Sequence, residues 1–274
     1  MCRGPNAEKN QVTSTLVSYQ LLTNNLPRTL KITAAETDVS RETAYYAAHI
    51  GKVTSIDDFL ADHRLYAYAM KAFGLEDMTF AKAFMRKVLT EGVADSNTFA
   101  NRLSDKRYAD FAQAFNFAAL GAQATRTNAA TTDTVDKYVR QTVEVEAGQK
   151  NEGVRLALYF QRKAAGISTV YQILADPALS QVVRTALGLS DFSSAADIDL
   201  QAAYLKKRLD LTDFQDPTKL SKFLQRFAAL YDIKNPEAAT GSSTSSVSML
   251  YGPSSGFSIS ANTLASIQNL KFGK

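Results

Sequence analysis

The sequence predicts an all-α protein built from two pseudo-repeated multi-helix units, with little or no β-structure. Three observations carry that expectation. First, the chain holds a second copy of part of itself: residues 41–77, moved forward by 114 positions, fall on 155–191 without a gap and with 10 identities in 37 positions. Arg41 meets Arg155, Tyr45 meets Tyr159, and Leu60-Ala61-Asp62 meets Leu174-Ala175-Asp176. A duplication of this length means two related supersecondary units packed together. Second, both copies carry the same helix start, apolar stripe and stop signals. Third, 45% hydrophobic and 21% charged residues over 274 positions are ordinary for a water-soluble globular chain. No apolar run reaches the length of a membrane-spanning helix.

The elements follow in order. Val12, Leu16, Tyr19 and Leu22 form a narrow apolar stripe that ends before Pro27. A helix is expected over Ser40–Ile50. Ser55 followed three places later by Asp58 reads as a capping box, and Thr169 with Gln172 repeats it. Asp62 and Asp176 are placed to cap the next helix, with Pro177 at a first helical position. That helix carries Leu65, Ala69, Ala72 and Phe73, matched by Leu179, Val183, Ala186 and Leu187. Gly74 and Gly188 stop it by taking the left-handed conformation. Phe80, Phe84, Val88 and Leu89 make the next stripe, ending at Gly92. Its counterpart is expected over Ala195–Leu209, with Leu200, Tyr204 and Leu205 inward. Ser104 or Asp105 opens a helix with Tyr108, Phe111 and Phe115. Asp216-Pro217 opens its partner with Leu220, Phe223 and Phe227. A helix over about 132–147 joins the two units, and another runs from about Asn151 to Lys163. After Pro236 a Ser/Thr/Gly-rich linker leads to a last short helix with Leu264, Ile267 and Leu270 on one side. The organisation expected is an N-terminal tail and helix (1–27), a first helical unit (28–130), a second (131–235), and a linker with a C-terminal helix (236–274).

No residue pattern rises to a catalytic or cofactor signature. The 31 basic and 27 acidic residues are interleaved, for a net charge of +4, so no single-sign field is implied. Cys2 is the one cysteine, which excludes an intramolecular disulfide and a cysteine metal cluster. His63 follows a capping Asp and reads as a surface residue. His49 lies in the last turn of a helix, where the dipole favours a cation. Neither sits in a nucleophile motif. Asp57-Asp58 fits a helix first turn rather than a cation site. The basic runs Lys206-Lys207-Arg208 and Lys82, Arg86, Lys87 read as solvated faces, so nucleic acid is not an expected partner. No metal and no cofactor are expected.

Several long strings carry a family resemblance. They are Ile50-Gly51-Lys52-Val53-Thr54-Ser55-Ile56-Asp57-Asp58-Phe59-Leu60-Ala61-Asp62, Tyr68-Ala69-Met70-Lys71-Ala72-Phe73-Gly74-Leu75, Ala83-Phe84-Met85-Arg86-Lys87-Val88-Leu89 and Asn151-Glu152-Gly153-Val154-Arg155-Leu156-Ala157-Leu158-Tyr159-Phe160. They resemble the bacterial family called domain of unknown function 1217, over about residues 12–235 and again at Ser266-Ile267-Gln268-Asn269-Leu270. The resemblance implies an alphaproteobacterial family encoded among flagellar genes, with no activity or catalytic residues to carry over. The expected function is therefore a non-enzymatic protein–protein interaction component of flagellar structure, assembly or export. The expected location is cytoplasmic by default, or flagellum-associated, reached without a cleaved signal. Val12, Leu16, Tyr19, Leu264, Ile267 and Leu270 are the expected contacts to flagellar basal-body, rod or hook proteins. The alternative is a small-ligand or peptide-binding module with a groove between the two units.

Overall fold

The structure, a computed structural model, describes residues 14–189 and 197–236. It is all-α, and among the described residues there is no strand. The described residues begin with α1 (Thr15–Asn24), α2 (Leu26–Ala35) and α3 (Thr37–His49). Then come α4 (Ile56–Ala61), α5 (His63–Ala72), α6 (Lys82–Glu91), α7 (Phe99–Arg102), α8 (Arg107–Ala114) and α9 (Phe117–Leu120). The long α10 (Thr132–Lys150) leads to α11 (Glu152–Lys163), α12 (Val170–Ala175), α13 (Pro177–Ala186), α14 (Ile198–Lys206) and α15 (Pro217–Lys234). Short 3-10 turns at Ile50–Lys52 and Ala164–Gly166 follow α3 and α11.

Local chemistry sets the helix ends. Ser55 Oγ accepts the Asp58 N–H at 3.0 Å and Asp62 Oδ1 accepts the Leu65 N–H at 3.0 Å. Thr169 Oγ1 accepts the Gln172 N–H at 3.3 Å, and Asp176 Oδ1 accepts those of Ala178 and Leu179 at 2.9 and 3.1 Å. The reciprocal box closes only at Thr169, where Gln172 Oε1 reaches back to the Thr169 N–H at 3.0 Å. Asp58 is one methylene shorter than Gln172, and its carboxylate instead accepts the Thr54 hydroxyl at 3.1 Å. Gly74 and Gly188 both take φ +69°, where only glycine is unstrained. The amides beyond them bond back into the helix, Leu75 N–H to Met70 O at 2.8 Å and Leu189 N–H to Arg184 O at 2.9 Å. The endpoints of α4 and α12, and of α5 and α13, lie 114 positions apart.

Burial divides the core into two apolar clusters. The first is centred on Phe59, whose ring lies 4.8 Å from Phe115 and 5.9 Å from Tyr66. The second gathers Phe160, Phe214 and Phe227. Two elements tie them together. α10 gives Tyr138 and Val139 to the first cluster and Ala147 to the second. α1 packs on α11 and α15 and puts Tyr19 into the second cluster, while α2 packs on α10. The seat of α1 is tight. Asp232 accepts the Thr15 N–H at 3.1 and 3.2 Å, and a Cβ on Gly153 would lie 2.5 Å from the Tyr231 ring and 2.8 Å from Thr15.

Two expectations about buried side chains are corrected and one helix is added. Phe80 is 81% exposed, because α6 starts only at Lys82 and Phe80 lies in the turn before it, outside the helical spacing of Phe84. Leu200 is 67% exposed and Tyr204 is also open, because α14 meets α12 through the opposite face, burying Ala202 and Leu205. α2 was not anticipated from the sequence; Pro27 sits in its first turn, where a proline costs no hydrogen bond. The residues Cys2, Val12, Leu264, Ile267 and Leu270, and the expected C-terminal helix, lie outside the described residues.

Candidate functional site

A cleft of about 560 Å³ opens where the two halves meet. One wall comes from the C-terminal end of α5 and the turn after it, with Phe73, Gly74, Glu76 and Asp77, joined by Arg107 and Asp110 of α8. The other comes from Lys137, Gln141 and Val145 on α10 and Arg155, Tyr159 and Arg162 on α11. Gly74 lies where the walls come together; a Cβ there would sit 3.6 Å from both Arg107 Nη1 and Gln141 Nε2.

Arg162, on the α11 wall, ties the cleft to an ion network beside it. Glu144 is 1% exposed and receives two guanidinium groups. Arg162 donates to both of its oxygens at 2.8 and 2.7 Å, and Arg140 donates to one at 3.1 Å. Arg162 also donates to Gln141 Oε1 at 3.2 Å. Burial pushes the Arg162 guanidinium down, but its bonds to Glu144 more than reverse this and hold it above its ordinary value. A buried charge persists only when paired in this way. Among the other lining residues, Arg107 pairs with Asp105, Arg155 with Glu152, and Lys163 with Asp110 at 3.0 Å across the two walls. Arg107 also donates to the Gly74 carbonyl.

Tyr159 donates its hydroxyl to Asp176 at 2.6 Å, and Tyr45 does the same to Asp62 at 2.8 Å. In both halves, then, one carboxylate caps a helix through one oxygen and accepts a phenol through the other. Burial, then the charge and hydrogen bond of Asp176, push the Tyr159 phenol well above its ordinary range, so it acts as a neutral donor.

The sequence-derived candidates fall in different places. Tyr19 is buried in the second cluster, so its ring is taken up by the molecule's own packing, and Leu16 is half-buried. Burial pushes the Tyr19 phenol up to about 12. The outward face of α1 instead shows Val17 at 43% and Leu21 at 60% exposure. His63 is exposed, while His49 stacks on Tyr45 at 4.1 Å with Nδ1 2.7 Å from the Tyr45 carbonyl. Asp57 pairs with Arg86, and Lys82 donates to the Leu60 carbonyl at 2.7 Å. Among the described residues, no three His, Cys, Asp or Glu side chains gather as a metal site requires. No described helix is long and apolar enough to cross a membrane. Arg162, which lines the cleft, and its network partners Glu144 and Arg140 escaped sequence reasoning, although a glutamate between Val143 and Val145 was a visible signal.

Comparison with known proteins gives two matches. A family model described as a protein of unknown function, DUF1217, matches residues 72–220. An X-ray crystal structure of an Agrobacterium tumefaciens protein is similar at a TM-score of 0.77 and 51% identity, covering 86% of this chain and 100% of that one. No curated protein matches.

Proposed function

We propose, from the premise that this chain belongs to the DUF1217 family, that it is a non-enzymatic protein–protein interaction component of flagellar structure, assembly or export. The observation that carries the reading is α1. It is apolar on both sides: Tyr19 faces the core, while Val17 and Leu21 stand one turn apart on open surface. An exposed aliphatic pair on the face opposite a buried ring is surface that a partner can cover. The flagellar gene context implied by the family resemblance supplies the kind of partner. Leu264, Ile267 and Leu270 are proposed as a second contact. The test is a crosslinked pull-down from motile cells with a tagged full chain. Basal-body, rod or hook proteins should be recovered with the native chain and lost with Leu21→Glu, whose helical signal should not change. Recovery indifferent to Leu21→Glu sinks the role of α1. Full motility after removal of residues 249–274 sinks that of the C-terminal stripe.

The two halves, over 28–130 and 131–235, are read as copies of one ancestral unit. Support comes from the paired caps, the paired glycine stops and the paired Tyr–Asp bonds. The second functional reading, a ligand- or peptide-binding module, is favoured by one specific observation. The cleft lies at the junction of the halves, and its size is that of an ordinary ligand pocket.

A further inference from the structure

Going beyond the flagellar reading and standing without it, we infer that in the free chain the segment 262–270 folds back onto the outward face of α1. The molecule then covers its own contact surface until a partner takes both apolar stripes together. The place where the chain leaves α15 carries the argument. The described residues end at Pro236, two positions after α15. Asp232, in the last turn of α15, accepts the Thr15 N–H at 3.1 and 3.2 Å, so the chain departs against the start of α1. Val17 and Leu21 stand open on α1, one turn apart, and Ile233 stands open next to Asp232 in the chain. The stretch 237–263 can extend over several times the length of α1, which is about 15 Å.

Composition names the occupant. In a chain with 21% charged residues, the two longest stretches without Asp, Glu, Lys or Arg are 10–27, which holds α1, and 238–270. Docking one on the other buries no charge, whose desolvation would oppose the contact. The flank before Ser14 has Met1 and Val12 as its only large aliphatic residues, whereas Leu264, Ile267 and Leu270 recur at helical spacing. The open face is also small. Two or three aliphatic side chains fall far short of the roughly 800 Å² per partner that a stable interface between separate proteins buries. A tethered segment needs less, because its tether holds it at an effective concentration on the order of millimolar. A helix as short as 262–270 is marginal alone, and the face of α1 supplies the apolar surface against which it can form.

The test is paramagnetic broadening of amide signals in the full, ¹⁵N-labelled chain. Cys2→Ser removes the native thiol, and Ser266→Cys, off the apolar stripe, carries a nitroxide. We expect the amide signals of Val17 and Leu21 to be lost, those of α8 in the first cluster to persist, and chemical reduction of the nitroxide to restore the lost ones. Leu21→Glu, at an exposed site, should bring the Val17 signal back. Ile267→Glu, outside the described residues, should do the same without any change in α1. Undiminished Val17 and Leu21 signals overturn the inference and show the face open in the free chain, which leaves the pull-down reading untouched. Broadening that survives both substitutions overturns it as well, because the contact then does not depend on the two stripes. A mixture of ¹⁵N chain without nitroxide and unlabelled chain with it should show no broadening. If the mixture does show it, the face belongs to a second copy and the intramolecular contact falls.

Discussion

At the scale of single residues, the side chain with most at stake is Glu144. It is fully buried, and both Arg140 and Arg162 depend on it. Neutralising it leaves two partly buried guanidinium groups without a counter-charge. Glu144→Gln should therefore cost about 3 kcal/mol in urea unfolding, at the low end of what breaking a buried pair costs. A loss below about 1 kcal/mol would mean that water already screens the network. The capping carboxylates act differently. Asp58 is held below the ordinary carboxylate range by the hydroxyls of Ser55 and Thr54, and Asp216 by the N–H groups of Lys219 and Thr218. Burial raises Asp62, but the Leu65 N–H and the Tyr45 hydroxyl outweigh it and leave the group lowered. A depressed folded-state value means that the stabilisation is complete above the ordinary range, about pH 4, and is lost as pH falls through the folded value. Asp62→Asn should thus lower the melting temperature at neutral pH and flatten its fall between about pH 6 and pH 3. An acid limb as steep as that of the native chain would refute the assignment. These caps were legible in the sequence because each acts within four residues of itself. Glu144 was legible only in part: Arg140 stands four residues before it, but Arg162 reaches it from 18 positions away, and only the packing of α11 on α10 brings them together.

At the scale of elements, periodicity told which segments are helices better than which face each one buries. The stripe Leu65, Ala69, Ala72 lies inward on α5 because neighbours surround that helix. Leu200 and Tyr204 looked equivalent on α14, yet α12 is its chief neighbour, and Ala202 with Leu205 fill the contact. A short helix with one neighbour buries one narrow line, and the sequence does not say which. α1 shows how a neighbour sets the terms. Gly153 has no side chain because the Tyr231 ring and Thr15 occupy the space a Cβ would need. Gly153→Ala should cost about 1–3 kcal/mol as an overpacking change, despite alanine's higher helix propensity. Its specific signature should be faster hydrogen exchange over residues 15–24. A variant as stable as the native chain, with α1 equally protected, would show that the contact gives way freely. Gly188 offers a contrast, with open space around its Cβ position and φ +69°. Gly188→Ala should cost only the backbone term, about 1 kcal/mol, with exchange unchanged in α1.

At the scale of the whole molecule, the connections between the halves matter more than the halves. The boundary read from the sequence, near residue 130, follows the duplicated windows, but the cores do not respect it. The described residues start on the second cluster, where Tyr19 is buried, and cross to the first through α2 and α3. It returns along α10, which serves both. Each half therefore borrows a helix from outside its own window, which no local pattern could reveal. The loan of α1 can be withdrawn by starting the chain at Leu26. The second cluster then loses Tyr19, a change of the size of an aromatic truncation, about 3–5 kcal/mol. Asp232 loses the Thr15 N–H, and Asn151 loses the Thr15 hydroxyl that it accepts at 3.0 Å. The first cluster keeps every helix that builds it, because α2 and α10 remain. Hydrogen exchange should accordingly rise in α11 and α15 and stay near native in α5 and α8. A synthetic peptide of residues 14–25, added in excess, should restore protection by mass action. If α5 and α8 lose protection in step with α15, the two clusters unfold as one cooperative unit, and the halves are partners in sequence only. If the peptide restores nothing although the shortened chain stays folded, α1 is held by its covalent tether rather than by the seat that Gly153, Tyr231 and Asp232 build for it.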